Sequence, residues 1–373
     1  MKIAVIGPTY PIRGGISHYT TLMVRHLRER HEVLFISYSK QYPAFLFPGK
    51  TQIDDSTDRI EEKSEPLISF SNPLSWRRAA RRIADWSPDV LVFSWVNPAL
   101  AVQFRYVTGY IKRHSPRTKV VFWCHNVALH ESLPMAPALT RFAFCRADRF
   151  IVTGRESADN LEAMRPGSVV SVVNLPSLDA FSSEETPGSA RESLGLAPGA
   201  PVALYFGFVR QYKGLIHLLE AMPEVASRIP GVHLLVVGEF WDDRGPYDEA
   251  IERNGIAGKV TVVDRYVPNE EVARYFESAD LVVLPYVSAT GSGIVQIAFG
   301  FAKPVLTTSV GSLTEVVDDG GTGYVVPPAD PRAIARAMVD FFESGRAEEF
   351  SSNVTAARGR FSWDSFLDEI ERL

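Results

Sequence analysis

Two adjacent glycines end a loop that follows the first apolar run of the chain. Gly14 and Gly15 stand just before a stretch with helical spacing, so backbone N–H groups and the positive end of a helix dipole can face an anion there. Phosphate is the natural ligand of such a turn. A tight turn without a ligand is the other interpretation. The spacing does not match G-x-G-x-x-G, so it does not predict a dinucleotide site.

Two cations follow the first apolar run of the second half of the chain. Arg210 and Lys213 come shortly after Gly207 and lead through Gly214 into a helical pattern. A helix dipole disfavours cations near the start of a helix, so this pair indicates an anion that offsets the mismatch. We expect both side chains to bind phosphate. A solvated pair of surface charges is the alternative.

Small and hydroxyl-bearing residues form a third cluster, between a buried strand and an apolar helix. Hydroxyls and helix-start N–H groups in such a segment can contact a second face of a phosphate. The residues expected to do so are Thr290, Gly291, Ser292, Gly293 and Ile294. Further along, Glu315 opens a short helix, where it either contacts the same ligand or complements the dipole of its own helix.

Short apolar runs alternate with helical patterns along the whole chain, and these runs carry the three clusters. In the first half the predicted strands are 2–7, 32–37, 89–95, 119–124, 149–153 and 169–173. In the second half they are 202–207, 232–238, 260–263, 281–285, 304–308 and 324–326. Such alternation predicts parallel sheets with helices on both faces.

The predicted fold class is therefore α/β, with two doubly wound, Rossmann-like domains that face each other across a cleft. A length of 373 residues suits two domains, and the aperiodic, polar segment 179–201 is the predicted linker. We assign 1–180 to an N-terminal domain and 181–352 to a C-terminal domain. The apolar stripe in 353–373 needs a partner, and we expect that segment to pack on the first domain. Ligands of such sheets bind beyond the carboxyl ends of the strands.

Composition excludes several classes of protein. A formal charge of -5 gives no basic field for nucleic acid, and 46% hydrophobic with 22% charged residues is typical of a globular chain. Cys124 and Cys145 are too few for a disulfide framework or a zinc site, which favours a reducing cytoplasm. The first apolar run is interpreted as a strand, not as a signal peptide, and no run approaches the ~18 residues of a membrane span.

Taken together, these segments resemble the retaining glycosyltransferases of family 4, which have the two-domain GT-B architecture. The resemblance covers nearly the whole chain and rests on the order and spacing of Gly14-Gly15, 124–126, 210–214, 286–304 and 311–330. It implies that Arg210 and Lys213 hold the donor pyrophosphate while the glycine turn approaches from the other domain. It also implies that His125 lies near the transferred sugar. Without the resemblance, His125 would be interpreted as a structural histidine at a strand end.

The activity that this resemblance implies is transfer of a sugar from a nucleotide diphosphate donor to a glycan or lipid-linked acceptor. Retention of configuration, and a place in polysaccharide or lipid-linked glycan assembly, come with it. We expect no cofactor and no metal, because the acid pairs at 54–55, 242–243 and 318–319 lack the Asp-x-Asp form of a metal-bound pyrophosphate site. The acceptor is not identified.

Two glutamates that are common in the family are absent. The positions that align with them are near Ala289 or Thr290 and near Ile297 or Ala298, which leaves the group that contacts the ribose open. Two alternatives follow. The chain is a catalytically silent subunit that binds a nucleotide sugar, or it is a nucleotide-sugar epimerase of the same fold, although the predicted cleft is poor in the acids that an epimerase needs.

A short basic helix with flanking tryptophans is predicted in the first domain. Its cations, on neighbouring rows of the helix, are Arg77, Arg78, Arg81 and Arg82. An anionic membrane surface or a polyanionic acceptor fits such a face, and a solvated helix face is the alternative. The expected location is cytoplasmic, with peripheral contact at the inner face of the cell membrane.

Overall fold

Two compact units make up the chain in a computed structural model, which describes residues 1–43, 49–127, 135–178, 180–181 and 185–372. Unit 1 comprises Met1–Asp55, Arg59–Leu175 and Trp363–Leu373, and unit 2 comprises Ser56–Asp58 and Pro176–Ser362. Each unit has one parallel sheet covered by helices. The predicted α/β class, with two doubly wound domains, is confirmed.

Unit 1 is built on a seven-stranded parallel sheet. Its strands are β1 (Lys2–Ile6), β2 (Glu32–Lys40), β3 (Glu65–Ser69), β4 (Val90–Trp95), β5 (Lys119–Cys124), β6 (Arg149–Thr153) and β7 (Val170–Val173). The strand order is β3-β2-β1-β4-β5-β6-β7. The order reverses between β1 and β4, and in open sheets ligands bind beyond the carboxyl ends of the strands at such a point.

The edge strand β3 is the strand of this sheet that the apolar pattern does not predict. It is five residues long and begins Glu65-Pro66. In this strand only Ile68 is fully buried. An edge strand tolerates proline and needs little apolar surface, because one side of its backbone ladder is unpaired. The sequence of β3 therefore carries little of the apolar pattern of a buried strand.

Helices pack on both faces of the unit 1 sheet. They are α1 (Gly15–Arg28), α2 (Pro73–Trp86), α3 (Ala101–His114), α4 (Ala136–Phe144) and α5 (Arg155–Met164). Aromatic rings pack in the core of this unit: Phe93 lies 4.8 Å, centroid to centroid, from Phe122, on which it stacks, and from Phe104, to which it is tilted. Such packing makes the sheet a rigid support for the loops at its carboxyl edge.

Unit 2 repeats this architecture with six parallel strands. These are β8 (Val202–Phe206), β9 (His233–Val237), β10 (Val260–Val263), β11 (Leu281–Leu284), β12 (Val305–Thr308) and β13 (Gly323–Val326). The order is β10-β9-β8-β11-β12-β13, which reverses between β8 and β11. The helices are α6 (Pro187–Ser193), α7 (Leu215–Arg228), α8 (Gly245–Arg253), α9 (Asn269–Ser278), α10 (Gly293–Gly300), α11 (Leu313–Val316), α12 (Pro331–Ser344) and α13 (Ala347–Ala357).

The last helix, α14 (Trp363–Glu371), belongs to unit 1. Its Trp363 ring stacks on His26 at 5.1 Å, and Phe366 lies 4.6 Å from Trp123, again between centroids. Glu371 accepts a hydrogen bond from His31 across 2.8 Å. The apolar stripe of this helix is therefore covered by unit 1.

The unit boundaries differ from the predicted ones by five residues at the first junction and ten at the second. Unit 2 begins at Pro176 and runs to Ser362, where the sequence suggested 181 and 352. The reason is local: Ser177 N–H donates to the carbonyl of Phe361 at 2.8 Å, which ties the two ends together. Of the predicted linker, 179 and 182–184 lie outside the described residues, and 187–193 form α6 behind a capping box on Thr186.

A short excursion of the chain, Ser56–Asp58, also belongs to unit 2. It lies at the start of α9, where the Glu270 carboxylate accepts hydrogen bonds from the Thr57 hydroxyl at 2.8 Å and the Thr57 amide at 3.2 Å. Asn269 N–H donates to Ser56 Oγ at 2.9 Å.

None of the helices in the described part of the chain combines the length and the apolar character needed to cross a membrane.

Candidate functional site

Two loops meet at the carboxyl edge of the unit 2 sheet, where the strand order reverses. The Gly207–Gly214 loop follows β8, and the Pro285–Ser292 loop follows β11. The carbonyl of Tyr212 accepts hydrogen bonds from the amides of Val287 at 2.8 Å and Ser288 at 3.3 Å. The two loops therefore form one surface at the position where ligands of doubly wound sheets bind.

Gly214 makes this contact possible. Its φ is +66°, and a Cβ built on it would lie 1.9 Å from the carbonyl oxygen of Pro285. Any other residue would have to push the two loops apart and adopt a strained backbone. The glycine that follows Lys213 is thus required by the packing of the loops.

The two predicted cations both lie on this surface. Arg210 has extended backbone (φ -142°, ψ 154°), and its guanidinium carbon lies 5.4 Å from the Trp241 ring centroid and 5.8 Å from that of Tyr212. Lys213 Nζ lies 5.5 Å from the ring centroid of Tyr286. A Cβ built on Gly207 would be 3.4 Å from the same ammonium. Lys213 therefore lies directly beside the backbone at the end of β8.

The surroundings of Lys213, Arg210 among them, disfavour its charged form. Burial and, as the smaller cause, the positive charge of Arg210 together lower the pKa of Lys213 from its ordinary value of 10.5 to about 8. A like charge nearby raises the free energy of the charged form of a group. The arrangement is therefore one that a bound anion would stabilise.

The start of α10 borders the same surface. A Cβ on Gly207 would lie 3.6 Å from Ile294 Cδ1 and 3.4 Å from Lys213 Nζ, so α10 begins near Lys213. Ser292 caps this helix: its Oγ accepts a hydrogen bond from Ile294 N–H at 3.2 Å and lies 3.3 Å from Tyr286 Oη. The cap therefore uses the Ile294 amide that the sequence assigned to a phosphate. Gly291 and Gly293 flank Ser292 at the same helix end.

The loop after β12 supports this helix start. Ser312 donates to the carbonyl of Thr290 from its amide at 3.1 Å and from its hydroxyl at 2.9 Å. A Cβ built on Gly311 would lie 2.0 Å from the carbonyl oxygen of Ala289. Glu315 follows on α11 and is partly buried. The structure thus brings the predicted residues of unit 2 onto three adjoining loops.

The glycine turn of unit 1 lies at the carboxyl end of β1. Gly14 precedes α1 with a φ of +112°, and its carbonyl accepts hydrogen bonds from Ser17 N–H at 3.0 Å and His18 N–H at 3.3 Å. Among the described residues, no atom lies within 4 Å of a Cβ built on Gly14 or Gly15. The space around the turn is open, and its part in binding a phosphate stays a prediction.

His125 follows β5 at the same edge of the unit 1 sheet. Its Nε2 lies 2.9 Å from Ser94 Oγ, and its ring is 4.3 Å from that of Trp123. Burial lowers the pKa of His125 from 6.5 to about 3. The imidazole is therefore neutral at physiological pH and can form hydrogen bonds without carrying a charge.

The sequence did not predict the hydroxyl of Ser94 that contacts His125, nor the hydroxyl that contacts Ser94 in turn. Ser94 Oγ lies 3.1 Å from the hydroxyl of Thr20 on α1. A Cβ built on Gly7 would be 2.6 Å from Thr20 Cγ2 and 2.9 Å from Ser94 Cβ, so only glycine lets helix and strand approach this closely. The one available signal was a single serine inside the apolar run of β4.

Two further residues of unit 2 contact the segment that carries the cations. Trp241 lies against Arg210, and the carboxylate of Asp242 accepts a hydrogen bond from Gln211 N–H at 2.7 Å. Both follow β9, which neighbours β8 in the sheet. A tryptophan in a polar loop was the only hint in the sequence.

The basic helix predicted in unit 1 is α2. Arg77, Arg78 and Arg81 are exposed on it. Arg82 instead donates to the Glu65 carboxylate from Nε at 3.1 Å and from Nη2 at 2.8 Å, so its charge is paired. Arg81 Nε also lies 3.6 Å from Asp85 Oδ2 on the same helix, so the charges of two of the four predicted arginines are paired. Over the described ranges, no three His, Cys, Asp or Glu side chains group so that they could hold a metal ion.

Family models match both units. One described as "Glycosyl transferases group 1" matches residues 200–344, and one described as "Glycosyltransferase Family 4" matches residues 13–174. Each unit thus has its own counterpart, in the order of the chain.

Curated relatives carry transferase names. A D-inositol 3-phosphate glycosyltransferase of Streptomyces scabiei is 30% identical over 236 residues, covering 59% of this chain and 52% of the relative. That of Segniliparus rotundus is 33% identical over 187 residues, 49% of this chain and 41% of the relative. The chain spans about half the length of these relatives. A GDP-mannose-dependent alpha-(1-6)-phosphatidylinositol monomannoside mannosyltransferase of Mycolicibacterium smegmatis is 26% identical, covering 90% of this chain and 87% of the relative.

Solved structures agree in fold over the whole chain. Sucrose-phosphate synthase from Thermosynechococcus elongatus has a TM-score of 0.74 at 19% identity, covering 100% of this chain and 97% of that one. Anabaena HepE in complex with UDP-glucose has a TM-score of 0.76 at 18% identity, covering 100% and 98%. At such identities the comparison establishes the fold.

Proposed function

Because the chain belongs to the family-4 glycosyltransferases with the GT-B fold, we propose that it moves a sugar from a nucleotide diphosphate donor to an acceptor with retention of configuration. One observation carries the proposal. Lys213 is held beside the start of α10, at the point where the unit 2 strand order reverses, and Arg210 is close enough to lower the pKa of Lys213. Two fixed cations and a helix end favour a doubly phosphorylated ligand.

In the proposed reaction, these groups stabilise the leaving diphosphate. The bond between the anomeric carbon and the phosphate oxygen breaks, and a bond from the acceptor oxygen to that carbon forms on the same face. The proton of the acceptor hydroxyl passes to the departing phosphate oxygen, so no protein base is required. A donor aimed at the developing charge contributes about 3 to 4 kcal/mol to stabilising a transition state.

His125 would serve this reaction as a neutral group. With a pKa of about 3 it carries no charge at the working pH, so it would exchange hydrogen bonds with sugar hydroxyls and leave the charge balance to the cations of unit 2. Its place beside the transferred sugar remains part of the proposal.

For the substrates, we propose a role in polysaccharide or lipid-linked glycan assembly. Support comes from the names of the relatives, which act on inositol phosphate or on a phosphatidylinositol mannoside. The structural neighbour solved with UDP-glucose makes UDP-sugars the first donors to try, followed by GDP-mannose.

The test is a panel of nucleotide sugars measured by thermal unfolding and then by turnover. A ligand at 100 times its Kd should stabilise the folded protein by about 2.7 kcal/mol, and the donor identified in this way should be consumed when an acceptor is added. Binding without turnover against any acceptor would favour the silent subunit. Interconversion of donor sugars without an acceptor would favour the epimerase. If no nucleotide sugar raises Tm, the proposal fails.

We predict that turnover is independent of divalent metal. Arg210 and Lys213 supply the positive charge that a bound cation provides in metal-dependent transferases. Activity in excess EDTA should therefore stay within about twofold of the untreated rate. Loss of one electrostatic contact to the transition state would instead lower the rate about 10²-fold. A loss of activity that added Mg²⁺ restores would contradict the prediction.

We also propose that the exposed arginines of α2 contact an anionic membrane surface. Leu74, 74% exposed at the start of the same helix, offers an apolar side chain beside them. An arginine near an anionic surface contributes about 1 kcal/mol, so the double substitution Arg77→Glu and Arg78→Glu should weaken binding to phosphatidylglycerol vesicles at least ~10-fold at low salt. Arg228→Glu in unit 2 is the control. Absence of wild-type binding to these vesicles would exclude this contact.

A further inference from the structure

The segment Glu239–Asp242 runs alongside the segment that carries Arg210. Val209 N–H donates to the carbonyl of Glu239 at 2.9 Å, and Trp241 N–H donates to the carbonyl of Val209 at 3.1 Å. These bonds form a parallel bridge between Val209 and Phe240. The pairing of β8 with β9 thus continues beyond both strands, up to the residue before Arg210.

The side chain of Trp241 then covers the guanidinium. Arg210 Cζ lies 5.4 Å from the Trp241 centroid and 5.8 Å from that of Tyr212, within the range of cation–π attraction. Trp241 is itself held by Phe208, with centroids 4.2 Å apart at 33°. A planar guanidinium that contacts two rings has few rotamers left.

Asp242 fixes the turn that follows. Its carboxylate accepts the Gln211 amide at 2.7 Å, the length of a charge-assisted hydrogen bond. Gln211 begins the single 3-10 turn that ends at Lys213. The carboxylate is therefore bonded to the backbone between the two cations and sets the direction in which the chain leaves Arg210.

We propose that Trp241 and Asp242 are positioning residues for Arg210. They hold its guanidinium ready for a diphosphate, so that binding does not have to order a long, flexible side chain. The inference rests on the proposed function, because it takes Arg210 as a ligand of the donor diphosphate. Neither residue belongs to the sequence segments that indicated the function.

A double-mutant cycle tests this role directly. The probes are inorganic pyrophosphate, which has no base to stack on an indole, and the tightest binder among UDP, GDP and ADP, each measured by isothermal titration. Trp241→Leu should weaken the binding of both probes about 5- to 20-fold in the wild-type background, in line with a buried cation–π contact. In an Arg210→Ala background, Trp241→Leu should weaken the binding of the probes less than about twofold, since no guanidinium remains for Trp241 to position.

Controls separate positioning from loss of structure. Trp241→Phe keeps a ring over Arg210, so its affinity for both probes should stay within about threefold of wild type. Asp242→Asn should restore the affinity that Asp242→Ala loses, because the amide oxygen can still accept the hydrogen bond from Gln211 N–H. Trp86→Leu removes the matched ring of unit 1, which lies 5.5 Å from Lys2 Nζ, and should leave both probes unaffected.

Each outcome has one meaning. If Trp241→Leu costs as much in the Arg210→Ala background as in the wild type, Trp241 acts on the ligand directly and the inference is wrong. If Trp241→Leu has no effect while Arg210→Ala does, the inference is wrong and the proposed function stands. If Arg210→Ala leaves pyrophosphate and nucleotide binding unchanged, it is the proposed function that fails.

Discussion

Replacement of Arg210 by alanine should lower kcat about 100- to 1,000-fold, the loss expected when one fixed donor to a developing negative charge is removed. The guanidinium lies on the surface formed by two loops at the carboxyl edge of the unit 2 sheet. In the proposed reaction it stabilises charge that appears as the glycosidic bond breaks. The measurement is steady-state turnover with the donor identified by thermal unfolding.

Two variants make the result specific. Arg228→Ala should keep wild-type turnover. It removes the same charge from the last turn of α7, where Arg228 pairs with Glu343, about 20 Å along that helix from Gly214. Arg210→Lys keeps the charge without the planar fork and should recover only part of the rate. Equal rates for Arg210→Ala and Arg228→Ala would show that Arg210 does not take part in the transfer.

A fall in kcat/KM above pH 8 is the second large effect expected. Burial and the charge of Arg210 lower the pKa of Lys213 to about 8 in the free protein, and kcat/KM reports pKa values of the free enzyme. Above that pH the ammonium that should meet the diphosphate is lost, so kcat/KM should drop about tenfold per pH unit. Lys213→Arg should remove this limb, because a guanidinium keeps its proton. An unchanged limb in Lys213→Arg would assign the titration to another group.

The stability of the unliganded protein should show the opposite trend. The pKa of Lys213 is lower in the folded state than the ordinary 10.5 of an unfolded chain, so between pH 8 and 10.5 the unfolded state binds more protons. Linkage then requires the free energy of unfolding to rise with pH across this window. Denaturant unfolding of the wild type against Lys213→Met, which lacks the group, isolates the contribution.

The sequence predicted the fold well because its strands are buried on both faces. Runs such as Val90–Trp95 and Lys119–Cys124 are almost entirely apolar, and the helices between them set the parallel arrangement. The edge strand Glu65–Ser69 escaped because it lacks such a run. The resemblance to family-4 glycosyltransferases is confirmed by both family models.

The sequence predicted only those parts of the candidate site that lie in short continuous segments of the chain. Arg210, Lys213 and the start of α10 each lie in a strand-to-helix turn, which has a recognisable composition. Trp241 and Ser94 depend on contacts between strands that are neighbours in the sheet but distant in sequence. Such neighbours follow from strand order, and spacing along a single sequence does not give that order.

The residues of α14 come after all of unit 2 in the chain and yet cover Trp123 in unit 1. A gene fragment that stops at Leu175 would leave these rings facing water. Exchange of unit 2 between relatives would therefore need recombination junctions at both 175/176 and 362/363. The segment Ser56–Asp58 would also have to fit the residue that replaces Glu270 in the incoming unit. A single crossover would separate the terminal helix from its aromatic partners, so unit 2 cannot be transplanted as one contiguous tail.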